Sequence, residues 1–233
     1  MALDRWMLQR LVLGDGPMLR LYRWSRPTLS LGAHQHHLEP HWPRLAEAGV
    51  LDLVRRPSGG RAVLHAGELT YALVCRPDGP NREWAYRQAC AWLLQAFASL
   101  GHPLRFGRTS PAQAQRRSSC FASATAADLV EASGAKRIGS AQYWRGPALL
   151  QHGSLLLRPD PQLWQQVFGV APPPLAPLRA NDHQLEAALH RAATDHLCGG
   201  CLQPRDLSPG EWHDVDRIRA EALGVDRGRD GGG

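Results

Sequence analysis

The stretch from Arg55 to His65, RRPSGGRAVLH, constrains this chain more than any other. The residues before it, LDLVRR, read as a strand, and AVLH after it reads as the start of another. Two arginines are therefore delivered into a Ser-Gly-Gly turn held between strands. Adjacent glycines let the backbone approach a ligand closely, and successive backbone N–H groups form a nest suited to an oxyanion or a carbonyl. A simple hairpin turn would carry the same residues, so the weight falls on two further segments. One is GAKRIGSAQ at 134–142, and the other is LLQHGSLLL at 149–157, where His152 precedes Gly153.

The first of these holds the only lysine among 27 Lys and Arg residues. In a background where arginine serves as the surface cation, a lone lysine is a candidate for chemistry that a guanidinium cannot do. An ammonium is compact and can lose its proton. The formal charge of +6 favours acidic partners. The arginines are scattered rather than gathered into a stripe, which argues against nucleic acid. No apolar run approaches the ~20 residues of a membrane span, and no secretory signal opens the chain. With 233 residues, a single large core is stable without disulfides or metal.

Five cysteines, an odd number, fit reduced thiols in the cytoplasm. Cys75 and Cys90 sit in apolar patterns and read as small buried hydrophobes. Cys198 and Cys201 form C-G-G-C, half of a zinc site with no second pair, so no metal is expected. Cys120 differs. It lies in RRSSCFAS, and its positive neighbours favour the thiolate.

Apolar spacing predicts helices over 3–13, within 41–49, over 81–100 with Asn81 as N-cap and Gly101 as C-cap, over 161–170, from Asn181 or Asp182 onward, and from about Ser208. Strands are expected within 17–24, at 28–32 and 51–56, and through AVLHAGELTYALVC. The region from Cys120 to Leu157 reads as short strands broken by glycine turns, 171–177 as a stiff polyproline stretch, and 107–119 as a loop.

In this order and spacing the three motifs resemble the biotin/lipoate protein ligase family. That family carries R-R-x-[ST]-G-G-[GR]-x-V-x-H, then K-[IV]-x-G-x-A, then Q-H-G. Here these are Arg55 to His65, Lys136 to Ala141 with Arg137 placed before Ile138, and Gln151 to Gly153. The chain opens inside what is normally the second helical turn of that domain. The resemblance implies an α/β (α+β) fold, a mixed sheet flanked by helices, with the acyl group clamped between the Gly-Gly loop and the lysine strand. It implies a catalytic domain over 1–178, a helical segment over 179–225 packed on it, and a flexible tail over 226–233.

Within the family the sequence is most similar to the LipM-like octanoyltransferases. Cys120-Phe121 stands 16 positions before Lys136, and Arg61 replaces a third glycine. The branch with a cysteine three residues before His-Gly is excluded by Leu149 at that place. The resemblance implies octanoyl transfer from acyl carrier protein to a lysine of a lipoyl-accepting domain, such as the glycine cleavage H protein. Cys120 and Lys136 are the expected catalytic pair. Arg56, Ser58, Gly59, Gly60, Arg61, His65, Gly139, Ala141, His152 and Gly153 are the expected substrate contacts. No cofactor is implied for this branch. An ATP- and Mg²⁺-dependent lipoate ligase and a non-catalytic acyl-binding member are the alternatives.

Overall fold

The computed structural model describes residues 1–107 and 128–222. Its centre is a hairpin of two long strands, β8 (Lys136–Arg145) and β9 (Ala148–Leu156), turned at Gly146 with φ +56°. The glycines in this region had suggested short, broken strands. Strand β9 runs on through Gly153 because that glycine is a place of close packing rather than a break. A Cβ on Gly153 would lie 2.5 Å from the Tyr71 ring and 2.6 Å from Ser140 Oγ.

The hairpin continues into a six-stranded sheet, ordered β1 (Met18–Tyr22), β5 (Glu68–Cys75), β9, β8, β7 (Leu129–Val130), β6 (Arg105–Phe106), all neighbours antiparallel. A second sheet has three strands. Its centre, β2 (Thr28–Leu31), pairs in parallel with β3 (Asp52–Arg55) and antiparallel with β4 (Val63–His65). The single run AVLHAGELTYALVC thus supplies strands to both sheets. The chain changes sheet at Gly67, whose φ is +80° and whose Cβ would strike the Arg158 carbonyl at 2.1 Å.

The two faces of β5 part its alternating side chains. Leu69, Tyr71 and Leu73 pack with α3 (Arg82–Ser99) and α5 (Asp182–Leu197). Ala72 and Val74 face the opposite way, into α1 (Ala2–Leu13) and α6 (Pro209–Ala222). The small sheet has its own core, in which the fully buried Trp42 of α2 (His41–Glu47) meets Trp164 and Val167 of α4 (Pro161–Phe168). Helix starts follow the expected caps. The Asn81 side chain accepts the Trp84 N–H, and Asn181 forms a capping box with Gln184. Helix α3 ends one residue earlier than expected: Leu100 is its C-cap, and Gly101 follows with φ +69°.

Arg137, which stands between Lys136 and Ile138, is an extra residue in the sheet. Strand β7 pairs Leu129 with Ile138 and Val130 with Lys136, leaving Arg137 as a bulge. Its guanidinium is fully buried, pairs with Glu131, and donates to the carbonyls of Leu156 and Ala176. Glu131 in turn accepts from the Ala176 N–H and from His102. Burial alone would raise the Glu131 pKa, but these donors hold it below the ordinary carboxylate range. The polyproline stretch is thereby tied to the sheet. Among the described residues no helix is long and apolar enough to cross a membrane.

Candidate active site

The Ser-Gly-Gly loop closes over the β8–β9 hairpin and leaves a cavity of about 70 Å³ between them. Of the residues singled out in the sequence, Arg56, Gly59, Gly60, His65, Gly139, Ala141, His152 and Gly153 line it. Ser58 and Arg61 do not. Ser58 is buried behind the loop, and Arg61 contributes its carbonyl as an acceptor for Arg56. The close backbone approach implied by the two glycines is made to another loop. A Cβ on Gly32 would lie 1.9 Å from the Gly60 carbonyl oxygen, and Gly60 itself has φ +94°.

The loop is held from inside by Arg56. Its Nη1 donates to the Ser30 carbonyl at 2.7 Å, and its Nη2 donates to the Gly59 carbonyl at 3.1 Å and to the Arg61 carbonyl. A buried arginine bonded to carbonyls on both sides of a turn sets the turn's shape.

Two carboxylate–imidazole–serine chains brace this loop. In the first, Asp4 of α1 lies 3.4 Å from His152 Nδ1, and His152 Nε2 lies 2.5 Å from Ser58 Oγ, all three residues being buried. Burial would raise the Asp4 pKa, but the His152 hydrogen bond and nearby cations bring it below its ordinary value. An ionised Asp4 accepts from His152 Nδ1–H, and the Nε2 of the same ring faces the Ser58 hydroxyl. In the second chain, His65 Nδ1 faces Glu68 at 2.9 Å and its Nε2 faces Ser30 Oγ at 2.8 Å. The His65 ring stacks on Trp24 with centroids 4.4 Å apart. Burial pushes the His65 pKa down against the pull of Glu68, so the ring stays neutral near pH 7.

Asp4, Glu68, Ser30 and Trp24 were not singled out in the sequence. A signal existed for Asp4, which shares the inward stripe of α1 with Met7, Leu8 and Leu11 at spacings i, i+3, i+4 and i+7. Glu68 stands at the head of an otherwise apolar strand.

Lys136 is buried at the start of β8, with Nζ 2.9 Å from Asp128 Oδ1. It does not line the cavity, and the ion pair fixes its ammonium beside the sheet. Cys120 lies outside the described residues. Cys75 and Cys90 are raised by burial to about 11 and about 12, which leaves both as thiols, in keeping with their apolar sequence settings. Cys198 and Cys201 are exposed.

A profile described as the lipoyl protein ligase A/B catalytic domain matches residues 1–175. The chain belongs to the lipoyl protein ligase A/B family. Its relatives include octanoyltransferases of the LipM type. The octanoyltransferase LipM of Carboxydothermus hydrogenoformans is 36% identical over 232 residues, covering 95% of this chain and 84% of that protein. That of Kyrpidia tusciae is 32% identical over 235 residues, covering 89% and 85%. Solved family members share the fold at lower identity. Lipoate-protein ligase A bound with ATP superposes with a TM-score of 0.74 at 21% identity, covering 93% of this chain and 87% of the other. A bi-partite lipoate protein ligase from Thermoplasma acidophilum, solved in a study that includes its E2 lipoyl domain, gives 0.72 at 20%, covering 99% and 92%. The antiparallel sheet flanked by helices, with a small mixed sheet beside it, is therefore the lipoate-ligase catalytic fold that the motifs implied; the single mixed sheet expected is instead divided in two.

Proposed function

We propose that the protein moves an octanoyl group from acyl carrier protein, through a thioester on Cys120, to a lysine of a lipoyl-accepting domain such as the glycine cleavage H protein. The observation that carries this reading is similarity to LipM octanoyltransferases at 32–36% identity along most of both chains. The Cys120-Phe121 element before Lys136 supports it from the sequence.

In this scheme the Cys120 thiolate attacks the donor's thioester carbonyl. A C–S bond forms to Cys120, the C–S bond to the carrier breaks, and the carrier's thiolate takes a proton from water. The acceptor lysine, as a free amine, then attacks the acyl-Cys120. A C–N bond forms, the Cys120 sulfur leaves, and the amine's surplus proton passes to solvent. Thioester to amide is downhill, so no nucleotide or metal is needed. Lys136 supplies positive charge for the thiolate and the tetrahedral oxyanion. The Arg56-braced loop forms the wall against which the reacting carbonyl is placed, and apolar burial contributes about 0.8 kcal/mol per methylene of the chain. A reduced, cytoplasmic setting suits the free thiol.

The test is intact-mass spectrometry after mixing the protein with octanoyl carrier protein, without ATP. One octanoyl adduct is expected, lost in Cys120→Ser and discharged by a lipoyl domain. Transfer that requires ATP and leaves no adduct would replace this reading by the ligase one.

A further inference from the structure

Many arginines here have a carboxylate partner: Arg10 with Asp15, Arg23 with Asp182, Arg26 with Asp52 and Arg87 with Glu83. Arg5, Arg55 and Arg145 have none among the described residues, and all three line one groove of about 350 Å³. The groove runs between α1, the loop after β3 and the far end of β8. Leu8 and the exposed ring of Tyr143 give it apolar sides. Arg55 is set in place rather than loose. Its Nη1 donates to the carbonyls of Gly32 at 2.7 Å and Gln35 at 3.0 Å, which aims the guanidinium before any ligand arrives. Arg56 is a wall of both this groove and the cavity under the Ser-Gly-Gly loop, so the two adjoin.

Three cations without a carboxylate partner among the described residues, set in one groove with apolar sides, suit an organic chain that carries an anion. A folded domain is a poorer fit, since protein interfaces of ordinary size cover about 800 Å² per partner. We infer that this groove binds the phosphate and pantetheine arm of the thioester donor, with the acyl end passing Arg56 into the cavity. The inference rests on the octanoyltransferase reading for the identity of the arm. The shared chemistry is a phosphate-bearing pantetheine, whether the phosphate is joined to a carrier-protein serine or to the nucleotide of coenzyme A. Arginine forks and phosphate oxygens form charge-assisted, often bidentate hydrogen bonds.

The variant to make is Arg5→Gln/Arg145→Gln, leaving Arg55 to brace its turn. If the double variant melts early, Arg145→Gln alone, at the exposed end of β8, serves instead. Calorimetry with 4′-phosphopantetheine and with pantetheine reads the groove without turnover. The wild type should bind the phosphorylated compound at least ~10-fold more tightly, and the variant should lose that preference. Equal affinity of the wild type for both compounds overturns the inference. In transfer assays the variant should raise KM at least ~10-fold for octanoyl carrier protein and for octanoyl-coenzyme A, and less than about 2-fold for octanoyl-pantetheine. A loss confined to the carrier protein would mean that the groove docks the protein's surface. An equal loss with all three donors would mean that it carries no phosphate site. Either result overturns the inference. If no donor acylates the wild type, the octanoyltransferase reading falls, while the phosphate preference in calorimetry stands or falls by itself.

Discussion

Replacing Asp4 by Asn removes one charge from a fully buried position and leaves the shape of the side chain. Asp4 accepts from Arg20 Nη1 at 3.1 Å, Tyr22 OH at 3.4 Å and His152 Nδ1 at 3.4 Å. Bonds to a charged acceptor contribute about 1.5–3 kcal/mol each, but the two at 3.4 Å are long and weak. The Asn carbonyl keeps part of one of them. The expected loss is therefore close to that of one good charged bond, about 2–3 kcal/mol. For a protein of this size that lowers Tm by about 5–10 °C. The pH dependence is distinctive. The folded pKa of Asp4 lies below its ordinary 3.8, so its contribution is complete above that value and is lost as pH falls through the lower folded one. Thermal melts of both proteins should thus show a constant gap from about pH 5 to pH 8, closing below about pH 4. A variant that melts within about 1 °C of wild type at pH 7, or a gap that widens in acid, would refute Asp4 as the anchor of the His152–Ser58 chain.

Lys136→Arg should slow acyl transfer at least ~10²-fold, because the wider guanidinium does not fit beside Asp128 in a buried slot; rates within about 2-fold of wild type would take Lys136 out of the mechanism. Gly153→Ala sets a methyl 2.5 Å from the Tyr71 ring and should destabilise by about 1–3 kcal/mol, measured by urea denaturation; an unchanged midpoint would mean that the ring moves freely. Cys198→Ser/Cys201→Ser should keep transfer activity and Tm in reducing buffer, since both thiols are exposed; stoichiometric zinc in the wild type, absent from the double variant, would contradict this.

The motifs were legible because each has a local cause. Gly60 takes a positive φ at its turn, Gly153 stands where the Tyr71 ring crowds the Cβ position, and His65 and His152 lie on the strands near them. Their partners were less visible. Asp4 reaches His152 across 148 positions of chain, and nothing near Asp4 announces a histidine. The change of sheet at Gly67 was hidden because AVLHAGELTYALVC keeps its β-branched and aromatic character on both sides of the break. Arg137 reads as a departure from an aliphatic position, and only the bulge opposite β7 shows how the sheet takes a buried guanidinium. The charged groove escaped notice because Arg5, Arg55 and Arg145 are remote in sequence and look scattered until the chain folds.

After the tied polyproline stretch, the chain packs α5 against α3 on one side of the large sheet and α6 against α1 on the other. Helices α5 and α6 act as a belt around the inner layers rather than as an appendage. A nascent chain that has reached residue 178 carries all three sequence motifs, yet α3 and α1 are still bare where Leu185, Leu189, Val215 and Ile218 belong. Such an intermediate exposes apolar surface on both sides, so synthesis of the C-terminal helices times the moment at which the protein becomes safe from aggregation. The outer helices, rather than the motif residues, close the fold over its apolar surface.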